Sequence, residues 1–204
     1  MLTDRQYESL TDIRVEEPGR IARAWAARTR PPSVQRRGMS FIVAADHTAR
    51  GMFGFGSDPY LMANRRDMLD RILVALENPR VDGVLASADI MDDLVLLGAL
   101  ENRVAVGTMN RGGLAGAQWE LDDRFTAYDT THLVERRLDA GKMLVRIDDS
   151  DAGTVPTLHS CALAVQELDD AGLMAMVEPI PYTKDASGRA VADHEPSRLV
   201  RAVG

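Results

Sequence analysis

Apolar runs alternate with amphipathic helical stretches along the 204 residues, and most of the runs end in polar tips. Continuous apolar runs read as strands buried on both faces, and intervening helices supply the crossovers, so the pattern predicts an α/β fold with a parallel sheet. Strand–helix units recur at intervals of about 25 to 40 residues, the length of right-handed crossovers. Polar tips following VDGVLAS and LMAMVE suit a (β/α)8 TIM-barrel arrangement, where chemistry collects at C-terminal strand ends, better than an open sheet with a nucleotide crevice. Eight units typically need about 250 residues. The chain supplies about five strands, so the expectation is a barrel truncated after the fifth.

Residues 1–37 are expected to form a helical extension and linker, with 38–204 as the partial barrel. In the extension, Ile21, Ala24 and Trp25 share a helical face, and Pro31, Pro32 and Gly38 break the chain before the first strand. That strand, FIVA from Phe41, runs into Asp46 and His47 and then into the glycine-rich segment from Gly51 to Gly56. GMFGFG has the wrong spacing for a dinucleotide fingerprint, so a loop over the strand end is the better reading. A helix begins near Asp58-Pro59, its stripe formed by Met62, Leu69, Ile72, Leu73 and Leu76. Strands follow at Val81–Ser87 and Arg103–Asn110, separated by a helix over Ile90–Leu100. The charged stretch Arg111–Asp129, holding Trp119, Glu120, Asp122, Asp123 and Arg124, has the character of an active-site loop. Next comes a helix over Thr131–Ala140, with Gly141 as its C-cap, and a fourth strand opening at Lys142. The helix Thr154–Ala171, a fifth strand Leu173–Glu178 and a short helix from Pro196 complete the reading.

Composition narrows the function classes. A formal charge of −7 disfavours nonspecific attraction to nucleic acid or to an anionic membrane. The single cysteine, Cys161, excludes an intrachain disulfide and a cysteine metal cluster. The N-terminus has no secretory pattern and no apolar run nears the roughly 18 residues of a membrane span, so a cytoplasmic protein is expected. Edges left open by an incomplete barrel favour a homo-oligomer.

Candidate site residues lie at the strand tips: Asp46 and His47, with Arg50 just beyond, then Asn110 and Arg111, Arg146 and Asp148, and Glu178. Carboxylates and arginines converging there suit an anionic, oxygen-rich substrate and proton transfer next to a carbonyl. Such pairs also satisfy one another inside barrels, which is the structural alternative for each. Asp148-Asp149-Ser150-Asp151 lacks the full calcium-loop pattern, so no metal or cofactor is expected. No Ser-His-Asp set or nucleophile elbow is present.

The runs IVAADHTARG, VDGVLAS, VGTMNRGGLAGAQWELDDRFTAYD, KMLVRIDDSDAGTVPTL and GLMAMVEP resemble the actinobacterial aldolase-like (β/α)8 proteins. Those are described as deoxyribose-phosphate aldolase-like and linked to inositol breakdown, and they are similar in turn to class I aldolases of the archaeal fructose-bisphosphate type. The resemblance implies a carbon–carbon lyase acting on a phosphorylated keto or deoxy sugar, with Asp46 in the active site and a Schiff-base lysine on a strand beyond the five found here, so that this chain alone is expected to be inactive. Only two lysines are present. Lys142 opens its strand, at what would be the stability end of a barrel, while Lys184 follows strand five on the catalytic rim, so Asp46 and Lys184 are the catalytic candidates. The alternative is a noncatalytic module that binds a sugar or acid without cleaving it.

Overall fold

The computed structural model describes residues 1–34, 38–110, 114, 116–117, 121–122 and 124–203. Its centre is a six-stranded sheet: β1 (Ile42–Ala45), β2 (Gly83–Ala86), β3 (Val104–Thr108), β4 (Ala140–Ile147), β5 (Met174–Lys184) and β6 (Ala190–Ala192). The strands lie in chain order, the first five parallel and β6 antiparallel to β5. Helices α1 (Asp4–Glu16) and α2 (Gly19–Ala27) precede β1, α3 (Arg65–Glu77) and α4 (Ala88–Leu96) flank β2, α5 (Thr130–Glu135) and α6 (Thr154–Asp170) flank β4, and α7 (Pro196–Val203) follows β6.

Parallel strands in sequential order, joined by crossovers of one hand, carry their helices on one face. The alternation of side chains then sorts each strand. Val84, Ala86, Ala105, Met143 and Val145 point into the main core with Leu69, Ile72, Ile90, Leu94, Leu133 and Leu168 from the helices. Leu85, Val104, Val106 and Ala140 point the other way and form a second apolar cluster with Val34, Ile42, Met174 and Met176. That second cluster is the floor on which the polar residues of the opposite face stand.

The expected eight-unit barrel cut off after strand five is replaced by this open, mixed, six-stranded sheet. The fifth strand does not stop at Glu178; it runs to Lys184 and turns back into β6. Pro179 and Pro181 come just after Glu178, where prolines ordinarily interrupt a strand. They lie within β5 because alternate residues bond to opposite neighbours, and the Pro181 carbonyl accepts from Asp193 on the side away from β4. A missing N–H on that side costs no β4–β5 ladder bond.

Two further elements depart from expectation. Helix α1, absent from the sequence reading, is set by a capping box whose Thr3-x-x-Gln6 spacing is visible in the sequence: the Thr3 hydroxyl accepts from the Gln6 amide and the Gln6 side chain accepts from the Thr3 amide. The extension is not an appendage, since Leu10, Ile13, Ile21 and Trp25 all belong to the main core. Among the described residues, no helix is long and apolar enough to cross a membrane.

Candidate active site

Register places the site. Ala45, Ala86, Gly107, Gly141 and Ala175 form one row across the five parallel strands. One residue further along, Asp46, Thr108 and Lys142 turn to the face opposite the helices. β1 and β2 end at that row and β3 one residue beyond it, but β4 starts late: its first residue, Ala140, pairs with Val106, and Lys142 pairs with Thr108 at the very end of β3. Lys142 is thus near the beginning of its own strand and level with the C-terminal tips of its neighbours.

There its ammonium lies between two carboxylates. Lys142 Nζ is 2.9 Å from Asp46 Oδ2 and 2.5 Å from Glu178 Oε2. Arg50, from the 3-10 turn His47–Arg50, donates to the same Asp46 oxygen at 2.8 Å, to Thr108 Oγ1 at 3.3 Å and to the Asn110 carbonyl at 2.7 Å. The side chains of Asp46, Lys142 and Arg50 are 3–4% exposed, whereas that of Glu178 is 50% exposed. Two cations and two anions balance, as a buried charged cluster requires. Burial alone would raise the Asp46 carboxyl, but Lys142 and Arg50 outweigh it and hold that carboxyl below its ordinary value.

With the geometry in place, comparison with known proteins becomes informative. Residues 38–204 match the family model described as Cgl0159-like. The chain belongs to the Cgl0159-like family. A crystal structure of Cgl0159 from Corynebacterium glutamicum (Brevibacterium flavum) superposes with a TM-score of 0.96 at 42% sequence identity, over all of this chain and 68% of that one. No curated protein matches. Neither the family description nor the Cgl0159 structure names a reaction, ligand or pathway.

In this Cgl0159-like chain the other candidates divide sharply. Asn110 completes the sheet: its amide accepts from the Leu144 N–H at 2.9 Å and donates to the Leu144 carbonyl, extending the β3–β4 ladder by one side chain. His47 is exposed, with Nδ1 3.9 Å from Asp46. Arg146 is buried further along β4, its guanidinium 5.6 Å from the centre of the Tyr182 ring. Asp148 closes the turn after β4, accepting from the Ser150 amide and hydroxyl. Lys184 lies six residues beyond Glu178, a rise of about 20 Å along the strand. It is 45% exposed and paired with Asp151 at 3.0 Å. Among the described residues no cluster of His, Cys, Asp or Glu could hold a metal ion. Arg111, Trp119, Glu120 and Asp123 lie outside the described residues.

Asp46, Arg50 and Glu178 of this cluster were named from the sequence, whereas Lys142, correctly placed near the start of its strand, was put at the wrong end of the sheet. The cause is Gly141, taken as a helix C-cap. It is instead a buried strand residue beneath the helices, where an added Cβ would stand 2.6 Å from Met109 Sδ and 2.9 Å from Leu133 Cδ1. Parity was the missed signal, because Lys142 shares the face of Arg146.

Proposed function

We propose that this chain is a Schiff-base carbon–carbon lyase of the class I aldolase type, with Lys142 as its amine nucleophile in place of Lys184. One observation carries the reading: a lysine on a rigid strand, removed from bulk water, with a carboxylate on either side and an apolar floor beneath it. Imine formation needs a lysine that can give up a proton to a neighbour, and then a negative charge to stabilise the iminium that results. Asp46 and Glu178 meet both needs within 3 Å. Lys184, exposed and paired only at the surface, meets neither. The substrate class, a phosphorylated keto or deoxy sugar, is carried over from the sequence resemblance.

Borohydride reduction tests the assignment without any variant. The chain is incubated with dihydroxyacetone phosphate, acetaldehyde or acetone, reduced, digested and mapped by mass spectrometry. The expected adduct is on the peptide containing Lys142. An adduct on Lys184 alone would make Lys184 the nucleophile, and none with any carbonyl probe would favour a noncatalytic sugar- or acid-binding site.

A further inference from the structure

The two edges of the sheet are protected differently. β6 is only three residues long and is bracketed by Arg189 and Asp193, each tied into a local ion pair, so it offers little to another strand. β1 is the opposite case. Among the described residues it bonds only to β2, and the run Phe41–Ala45 contains neither a charge nor a proline to discourage pairing. Beside that open edge, between β1 and α3, lies a cavity of about 380 Å³ walled by Val43, Ala45, Leu61, Met68 and Ile72. Three aromatic side chains close to it in the chain stay in solvent: Phe41 just before β1, and Phe55 and Tyr60 in the loop that follows, 58%, 72% and 71% exposed. Phe55, at the cavity rim, is held out by a tight turn in which its backbone N–H and carbonyl bond to Asp58 at 2.9 and 3.2 Å. The rim also carries Asp67 and Arg71 of α3, paired with each other at 2.8 Å and open to solvent.

We propose that this face is the contact between two copies of the chain, joined about a two-fold axis with β1 antiparallel to β1 of the second copy. The contact is independent of the chemistry at Lys142. A two-fold interface requires one patch to be complementary to itself, and this patch carries both halves of each match. Phe55 protrudes beside a cavity well above the ~150 Å³ that accommodates benzene, so each copy can fill the cavity of the other. Asp67 and Arg71 sit one helical turn apart, so the axis brings the acid of each copy to the guanidinium of the other. A foreign partner would have to supply ring, cavity, acid and base afresh. Pairing also satisfies the open N–H and C=O groups of β1 and turns two exposed edges into sheet interior. The area is of the right order. At roughly 200 Å² for a whole aromatic side chain, the exposed parts of the three rings come to about 400 Å² per copy, half of the ~800 Å² that a partner contributes to a standard interface. Strand backbone and cavity walls add to that.

Sedimentation of the full chain over micromolar to millimolar concentrations, with amide exchange of the peptide spanning Ile42–Ala45, tests the contact. We expect a dimer, and slower exchange in that peptide as concentration rises. Phe55→Asp alters a side chain so exposed that the monomer keeps its fold, which circular dichroism checks, and should lose at least about tenfold in dimer affinity, the least expected of an aromatic anchor. The charged pair supplies the decisive variants. Arg71→Asp gathers only acids at the axis and Asp67→Arg only bases, so each alone should weaken association. An equimolar mixture of the two should restore it, because every acid again faces a base. A wild-type chain that stays monomeric throughout, even one that captures some other peptide along β1, overturns the proposal. So does a dimer that Phe55→Asp leaves unchanged, or a pair of oppositely charged variants that do not associate when mixed.

Discussion

Asp46 has two partners that both depend on it. Replacing it with Asn would, among the described residues, leave Arg50 buried with neutral acceptors and Lys142 with the half-exposed Glu178. Breaking a buried ion pair by removing one partner typically costs about 3–5 kcal/mol, so Asp46→Asn should be strongly destabilising as well as inactive. The pH dependence has a definite sign. Because the folded carboxyl is held below its ordinary value, its contribution is fully present above the unfolded value of about 3.9 and is lost as pH falls through the lower folded value. Urea unfolding at pH 7 should therefore show the full deficit of Asp46→Asn, and at pH 3 a smaller one. An equal deficit at both pH values would mean that the Asp46 charge is not what the fold uses. Arg50, expected to bind substrate, is committed to holding this carboxylate.

At the scale of elements, the late start of β4 builds the site, and two residues enforce it. Gly141 lets the strand pass close beneath Met109, Leu133 and Leu168, where an added Cβ would meet all three within 3.0 Å. Asn110 locks the far side by bonding the Leu144 backbone. Gly141→Ala should therefore overpack the core and cost about 1–3 kcal/mol, measurable in the same urea titration; a neutral result would mean that the strand has room to shift. The same residues show what the sequence could disclose. The apolar runs of β2 and β3 were legible because each is continuous and buried on both faces, and that of β1 because it is continuous, although it is only partly buried. Their common level with β4 was not, since inter-strand register is fixed by packing between segments more than thirty residues apart and Gly has the same letter in a cap and in a close contact. Asp46 was legible because it ends such a run, whereas the length of β5 was hidden by prolines harmless on the side away from β4.

At the scale of the whole molecule, the site at one end of the sheet depends on a closure at the other. Trp25 is fully buried and donates its indole N–H to Asp92 on α4 at 2.8 Å. Arg28, equally buried, donates to the carbonyls of Arg103 and Arg137 and pairs with Asp139, the residue before β4. Asp139 in turn accepts from the Ala105 amide in β3 and from Arg30. The extension thus ties together the start of the same β3–β4 pair whose other end presents Thr108 and Lys142. Burial pulls the Arg28 guanidinium down, and Asp139 opposes this, so the pair is needed to keep that charge inside. Trp25→Ala should cost about 3–5 kcal/mol, the usual loss for a large buried aromatic, with a single cooperative transition because α2 and the sheet share one core. The check is urea unfolding followed by far-ultraviolet circular dichroism. A loss under about 1 kcal/mol, or an early separate transition for the helices, would show the extension to be an independent appendage; a large cooperative loss, with the borohydride adduct still formed on Lys142 below the transition, would show one folding unit whose N-terminal helices support the site without touching it.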